Sequence, residues 1–330
     1  MKAIVITNYG GPEVLQYKDV EKPSPTANQV LVKVKAASLN ASDFEAMRGS
    51  WASRIGGPRK TKHKILGTDI AGTVETVGSN VTKFHPGDEV HGDLLYPNGY
   101  GAFAEYVCAL EKVLASKPAS MTFEQASTYP EAGIIALQSL RGKREIQPGQ
   151  KVLINGAGGG MGSFAIQIAK HYGAEVTGVD SSIKLEMMKS IGADYVIDYM
   201  KTDFTKTGER YDMVLDTVAR RSLISYRRAL NPNGIFIMVG GSRSAIFQAI
   251  VLGPLVSRMG SKKYGINPFN QILMEDYEFL AKLFEAGKVV PVIDKVYPLS
   301  EVPEALRYLE EGQALGKVVI SMERKKGISM

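Results

Sequence analysis

Two textures of apolar patterning divide the chain. Over the first 120 residues, short apolar or alternating runs at 2–7, 29–36, 70–77 and 104–108 are separated by Pro and Gly punctuation such as Lys22-Pro23-Ser24-Pro25 and Pro86-Gly87-Asp88. Runs of that length bounded by turn residues read as strands, so this part is expected to be mostly β. From residue 151 onward the pattern changes. Apolar runs at 151–154, 175–179, 195–198, 213–216 and 235–239 alternate with helix-spaced segments at 163–171, 184–191 and 222–230. Alternation of this kind predicts an α/β architecture with a doubly wound parallel sheet. Strand-like runs return at 289–296 and 317–321, so the chain is expected to go back and complete its first domain around an inserted second one. The expected boundaries are 1–120 with 266–330 for the β-rich domain and 121–265 for the insertion. Residues 247–270, with Pro254, Gly260 and Pro268, read equally as a cleft loop, a subunit contact or both.

The densest chemical signal lies at the first strand of the insertion. Asn155-Gly156-Ala157-Gly158-Gly159-Gly160-Met161-Gly162 follows the apolar run at 151–154 directly and leads into a helical segment. A glycine turn between strand and helix lets backbone N–H groups approach a pyrophosphate, and the helix N-terminus adds partial positive charge. In the strict G-x-G-x-x-G frame Ala157 replaces the first glycine, while Gly159 and Gly162 hold the other two, with Gly160 and Met161 between them. The next strand ends in Asp180, about twenty residues on, where such units meet the adenosine ribose. A dinucleotide is therefore the expected ligand.

Composition narrows the classes. The 330 residues suit two domains, and 44% hydrophobic residues supply two cores. One cysteine, Cys108, excludes an internal disulfide and a thiolate cluster for structural zinc, and points to the cytoplasm. No run approaches the ~20 apolar residues of a membrane span, and no charged leader opens the chain. The net charge of +6 is spread along the sequence, with one local run at residues 324–326 that reads as a solvated tail, so neither nucleic acid nor membrane is an expected partner.

Several segments together resemble the medium-chain dehydrogenase/reductases, and within them the zinc-independent quinone oxidoreductase and enone reductase branch. They are Asn40-Ala41-Ser42-Asp43 with Arg48-Gly49, Leu66-Gly67-Thr68-Asp69-Ile70-Ala71-Gly72, Pro86-Gly87-Asp88-Glu89-Val90, Gly101-Ala102-Phe103-Ala104-Glu105-Tyr106, Gly192-Ala193-Asp194 and Gly316-Lys317-Val318-Val319. The resemblance spans nearly the whole chain. It implies a GroES-like β-rich substrate domain around an inserted Rossmann domain, an active site in the cleft between them, and a homodimer.

Zinc-using relatives carry a Cys near the position of Ala41, a His-Glu pair where this chain has Thr68-Asp69, and a four-Cys lobe; here those ligands are replaced, and no metal is expected. His63, His85, His91 and His171 lack metal-ligand spacing with cysteine. Without a Lewis acid for alcohol oxidation, reduction of a quinone or an α,β-unsaturated carbonyl is the expected reaction. The resemblance places Asn40 beside nicotinamide and acceptor, in a positioning or oxyanion role; capping of the following turn is the competing reading. Asp43 and Arg48 are expected to pair and hold that loop. Phe44, Trp51, Tyr96 and Phe269 are candidate walls of an aromatic-substrate pocket, with His91 at its mouth. Glu45-Ala46 stands where some quinone reductases have a Tyr proton donor, and Ile135 stands where a Thr that contacts the cofactor is common; no general acid is evident, and the final proton is expected from solvent.

Cofactor choice is contested within the sequence. Asp180 favours a free ribose 2′-hydroxyl and hence NADH. Ser181, Ser182, Lys184 and Tyr199 resemble the family's 2′-phosphate pocket and favour NADPH. NADPH is the expectation, with NADH use left open. Thr217 and Val218, and Gly240 and Gly241, follow strands at the carboxyl ends where open α/β sheets bind ligands. Two further readings stand beside the reductase: a zinc-free dehydrogenase or enoyl-thioester reductase, with Arg54, Arg59, Lys60 and Lys62 as a basic patch, and a nucleotide-binding interaction protein with weak catalysis.

Overall fold

The computed structural model describes residues 1–50, 53–54, 57–58, 61, 64–95, 99–141, 146–258, 261–266 and 273–323. The chain folds into two compact units. The first comprises Met1–Glu131, Gln271–Ala281 and Ile293–Met330, and the second Ala132–Asn270 with Lys282–Val292.

The first unit is built from β1 (Lys2–Ile6), β2 (Leu15–Asp19), β3 (Gln29–Ser38), α1 (Ala41–Arg48), β4 (Asp69–Val77), β5 (Glu89–Asp93), β6 (Tyr106–Leu110), β7 (Leu114–Ser116) and α2 (Phe123–Ala126). The chain returns to it late, as described below. β1 and β2 form a hairpin, and β3 is the backbone of the larger sheet, pairing with β4 and β6 at once. Val30, Val32 and Val34 are buried on one face, while on the other Leu31 is buried and Lys33 exposed. The core joins these strands to Met47, Phe103 and Leu306.

The second unit opens with α3 (Ala132–Arg141) and continues through β8 (Lys151–Asn155), α4 (Gly160–His171), β9 (Glu175–Asp180), α5 (Leu185–Ser190), β10 (Tyr195–Asp198), β11 (Tyr211–Asp216), α6 (Leu223–Arg228), β12 (Leu230–Met238), α7 (Arg243–Arg258) and β13 (Lys263–Ile266). The six strands form one parallel sheet in the order β10-β9-β8-β11-β12-β13. The order reverses beside β8, the position at which doubly wound sheets bind nucleotides. Val152, Leu153 and Ile154 are fully buried, as a central parallel strand requires.

After α8 (Met274–Glu285), β14 (Ile293–Pro298), α9 (Val302–Glu310) and β15 (Lys317–Ser321) follow. β15 pairs antiparallel with the end of β3, so the C-terminal segment completes the first unit, as the strand pattern at 317–321 implies. The α/β class, the GroES-like first domain and the inserted parallel-sheet domain agree with the sequence reading. The boundaries differ from those expected. The first unit runs on to Glu131 because Glu131 is tied into its interior, and within 247–270 the described residues contribute most of α7 and the edge strand β13, while 259–260 and 267–270 lie outside the described residues.

Candidate active site: a glycine turn and a buried polar cluster

The turn after β8 is held from three sides. The N–H groups of Gly156 and Ala157 donate to the carbonyl of Val179 at 2.9 and 3.2 Å, and that of Gly158 donates to Asp180 Oδ2 at 2.9 Å. Gly156 has φ +82°, a conformation that glycine adopts without strain, and a Cβ there would run into Thr217 Oγ1. A Cβ on Gly162 would collide with the carbonyl oxygen of Gly156 and lie 2.6 Å from the α-carbon of Ala157, so α4 packs directly on the turn. Gly159, the N-cap of α4, is the contrast: a Cβ there meets nothing closer than 3.4 Å. Its surface is open to a ligand, and the orphan N–H groups of the first helical turn begin there. Gly160 and Met161 are half-buried and Ala157 is fully buried beneath the turn. These residues fit a dinucleotide pyrophosphate.

Asp180 has a different task from the one its position suggests. Its Oδ2 accepts from Gly158, its Oδ1 accepts from Ser181 N–H at 2.8 Å, and Lys184 Nζ lies 3.7 Å from Oδ1. Both Asp180 and Lys184 are buried, and the Lys184 stem passes over Gly158. Asp180 therefore pins the glycine turn, with Lys184 as its counter-charge. Ser181, Ser182 and Tyr199 sit at the rim, Tyr199 donating its N–H to the carbonyl of Asp180 at 3.1 Å and exposing its ring. At the ends of β11 and β12, Ala219 N–H donates to the carbonyl of Gly240 at 3.0 Å, placing Thr217 and Val218 beside Gly240 and Gly241. Close backbone approach of Gly240 to Thr217 and of Gly241 to Ala219 leaves no room for side chains.

The first unit holds a second constellation. Antiparallel register aligns Ser38 at the end of β3 with Asp69 at the start of β4, and Asp69 with Asp93 at the end of β5. Lys317, the first residue of β15, reaches the same row: Nζ donates to Leu39 O at 2.9 Å and Asn40 Oδ1 at 2.5 Å, and lies 3.6 Å from Asp69 Oδ2. Asp43 and Glu131 complete the group, and all four carboxyls are buried. Oxygens of Asp69, Asp93 and Glu131 lie within 4.8 Å of one another. Four acids against one ammonium cannot all be ionised away from water. Burial first, and the neighbouring carboxylates second, push Asp43 and Asp93 well above the usual carboxylate range. Asp69 is also raised by burial, although Lys317 holds it back most strongly, and Glu131 is raised to about 7, by burial first and then Asp69.

Asn40 is consumed by this network. It caps α1, its N–H donating to Asp43 Oδ2 at 2.8 Å. Its amide oxygen accepts from Lys317, and its Nδ2 donates to Asp69 Oδ2 at 2.8 Å and Thr68 Oγ1 at 3.4 Å. Both hydrogens of the amide are thus directed inward, so Asn40 positions the loop rather than offering an oxyanion donor. Asp43 and Arg48 do not pair. Five residues apart on a helix they face different ways, and Arg48 instead makes a bidentate contact with Glu310, two bonds of 2.8 Å. The hydroxyl side of the cluster is Ser42, which donates to Glu131 at 3.0 and 3.1 Å, and Thr68, which donates to Glu131 Oε2 at 3.0 Å.

His91 belongs to the core, not to a pocket mouth. It is 1% exposed, shares a 2.7 Å hydrogen bond with Tyr129, and meets the ring of Tyr277 edge-on at 5.0 Å. Burial lowers it to about 3, so it stays neutral. Phe44 is half-buried against the first core. Trp51, Tyr96 and Phe269 lie outside the described residues, as do His63, Arg59, Lys60, Lys62 and the basic run at 324–326. Arg54 is spent on the carbonyls of Gly49 and Pro58 and on the face of Tyr9. Sequence reasoning missed Asp93, Glu131 and Lys317 as a unit. The available signal was a charged residue at one end of β4, β5 and β15, which sheet register gathers into a cluster with Glu131 from the turn before α3.

Comparison with known proteins agrees with this anatomy. Residues 26–119 match the alcohol dehydrogenase GroES-like domain, and residues 191–320 match a model described as zinc-binding dehydrogenase. A 2-methylene-furan-3-one reductase of Solanum lycopersicum is 37% identical over 97% of this chain and 79% of its own. The chain belongs to the medium-chain dehydrogenase/reductase family. An NADPH-dependent alkenal/one oxidoreductase of Arabidopsis thaliana is 34% identical over 97% of this chain and 79% of its own. Among solved structures, the quinone oxidoreductase from Coxiella burnetii superposes with a TM-score of 0.87 at 31% identity, covering 98% of this chain and 99% of that one. These similarities place the chain in the quinone oxidoreductase and enone reductase branch.

Proposed function

We propose that the protein reduces quinones and α,β-unsaturated carbonyl compounds with NADPH, without zinc. The observation that carries the reading is the presence in one chain of a pinned glycine turn and a buried polar cluster whose charge is set by Lys317. When bound, the reduced nicotinamide supplies a hydride. The chain's own residues do the rest: Gly159 and the start of α4 hold the pyrophosphate, the rim of Ser181, Ser182 and Tyr199 with Lys184 meets the adenosine ribose, and Asn40 fixes the loop that carries Ser42. Conjugation in the acceptor already spreads the charge that develops on reduction, so hydroxyl donors suffice where an alcohol substrate would call for a Lewis acid. The zinc-free reading is supported by Lys317 Nζ, 3.6 Å from Asp69: a dication among the same carboxylates would meet like charge at short range, worth several kcal/mol at an effective dielectric of about 20. Small-molecule acceptors follow from the relatives' names, and the exposed apolar residues Phe247, Ile250 and Val251 near the edge strand β13 support a homodimer of the second unit.

The test is the initial rate of NADPH and NADH oxidation after chelation, with a quinone, an alkyl enone and an enoyl-thioester as separate acceptors. Quinone- or enone-dependent oxidation that survives chelation supports the proposal. Oxidation that requires added zinc, or that occurs with the thioester alone, refutes it. Light scattering in the presence of cofactor checks the dimer.

A further inference from the structure

Of the side chains hydrogen-bonded to the buried carboxyls, Ser38, Asn40, Thr68 and Lys317 are themselves buried, whereas Ser42 is half-buried and makes both of its Glu131 contacts through one hydroxyl. Glu131 is thus the carboxyl of the cluster with a hydroxyl leading outward. Asp43 faces the backbone of Asn40, Asp69 is bound by Ser38, Asn40 and Lys317, and Asp93 accepts from Leu95 N–H. We propose that Glu131 is the proton reservoir of enone reduction, passing its proton through Ser42 Oγ to the α-carbon of the acceptor. The inference rests on the reductase reading above.

The step balances. Hydride arriving at the β-carbon forms a C–H bond and displaces the C=C π pair onto the α-carbon and carbonyl oxygen. The Ser42 O–H bond then breaks as the α C–H bond forms, the Glu131 O–H bond breaks as its proton moves to Ser42 Oγ, and Glu131 is left as carboxylate, to be reprotonated from solvent. One hydride and one proton are consumed per acceptor. The hydrogen-bond geometry allows it: Ser42 donates to a Glu131 carboxylate, and when Glu131 is protonated the direction reverses and the serine hydrogen is free to turn outward. With its ionisation near 7, Glu131 holds a transferable proton at neutral pH. Burial sets that value first, the Ser42 and Thr68 hydroxyls lower it, and the charged groups that face it adjust it further. Asp69 on β4, Asp93 on β5 and Asp43 on α1 raise it or are raised with it, Tyr100 lies in the same field, and Lys317 on β15 lowers it. Quinone reduction places its protons on oxygen, where exchange with water is fast, and so leans less on a positioned donor.

The experiment uses the full-length protein with NADPH in deuterated water. Acceptors are an α-methyl cyclic enone and a simple benzoquinone, compared in wild type, Glu131→Gln and Ser42→Ala. Glutamine keeps an acceptor for Ser42 and Thr68 but has no acidic proton to give. The expected result is an enone-to-quinone kcat ratio lowered by about tenfold or more in both variants. Wild type is expected to give one α-epimer and the variants a mixture, and the ionisation near 7 is expected to vanish from the enone kcat profile. In the cofactor-free protein, the infrared carbonyl band of a protonated carboxyl that titrates near 7 should be absent from Glu131→Gln. An unchanged ratio with a single epimer, or an equal fall for both acceptors, overturns the proposal. Should Glu131→Gln melt early, Ser42→Ala carries the same readouts. A wild type that reduces no enone refutes the activity itself, an outcome distinct from variants that behave like an active wild type.

Discussion

Replacing Lys317 by Met separates charge from packing, because methionine retains most of the buried stem and loses the ammonium. Lys317 is 1% exposed and touches Leu39 O, Asn40 Oδ1 and Asp69 Oδ2. At 3.6 Å and an effective dielectric of about 20, the attraction to an ionised Asp69 amounts to about 4–5 kcal/mol, and removing one partner of a buried pair typically costs ~3–5 kcal/mol. The variant has one escape, which is to protonate Asp69. From an ordinary value of 3.8, that costs about 2.3 kcal/mol at pH 5.5 and about 5.7 kcal/mol at pH 8. The escape therefore caps the loss at the lower pH and offers nothing at the higher one. The sign agrees with linkage: a carboxyl whose folded value is raised contributes stability below its unfolded value and loses it as pH climbs through the folded one, and removing Lys317 raises Asp69 and Glu131 further. Urea unfolding followed by far-ultraviolet circular dichroism gives the difference at the two pH values. A penalty that is the same at pH 5.5 and pH 8, or that stays below about 1 kcal/mol at both, would refute the shared-charge account of the cluster.

Other expectations can be checked with simple variants. Gly162→Ala drives a Cβ into backbone and should lower stability by about 1–3 kcal/mol in thermal melts, whereas Gly159→Ala should melt like wild type yet bind NADPH about tenfold or more weakly, seen by fluorescence titration. If Asp180 pins the turn rather than reading the ribose, Asp180→Asn weakens NADPH and NADH together, while Lys184→Ala weakens NADPH more; a selective loss of NADH in the first variant contradicts this. His91 sits at about 3 in the folded protein against 6.5 ordinarily, so wild type loses stability as pH falls from 6.5 toward 3. His91→Gln, which keeps an acceptor for Tyr129, should flatten that acid limb in melting temperature against pH.

The nucleotide-binding unit was legible because its signals are local. Lys151 to Asn155, the glycines and the helix after them follow one another in sequence, and short apolar runs between helical segments fix a parallel sheet without knowledge of the tertiary packing. The edge strand β13 was not, since Lys263-Tyr264-Gly265-Ile266 is only four residues long and follows the Pro254-bearing helix α7. Asp180 ends β9, a position from which it can meet the turn or the ribose, and only the folded chain shows one oxygen bound by Gly158 N–H and the other by Ser181 N–H. The polar cluster was the least legible part. Asp69, Asp93, Glu131 and Lys317 are far apart in sequence, and a charged strand terminus normally means solvent. Asp43 and Arg48 failed for a related reason, because a turn that could have joined them is in fact a helix, which points Arg48 toward Glu310.

The raised carboxyls have a consequence for the folding reaction itself. Glu131, raised to about 7, holds a share of a proton in the native state that it surrenders on unfolding near neutral pH, and burial pushes Asp43 and Asp93 in the same direction. Refolding therefore draws hydrogen ions out of the medium. An unbuffered solution of this chain should turn slightly alkaline as it folds, and the apparent heat of folding should depend on the ionisation enthalpy of the buffer, which makes the interior of the first unit observable without any substrate or cofactor.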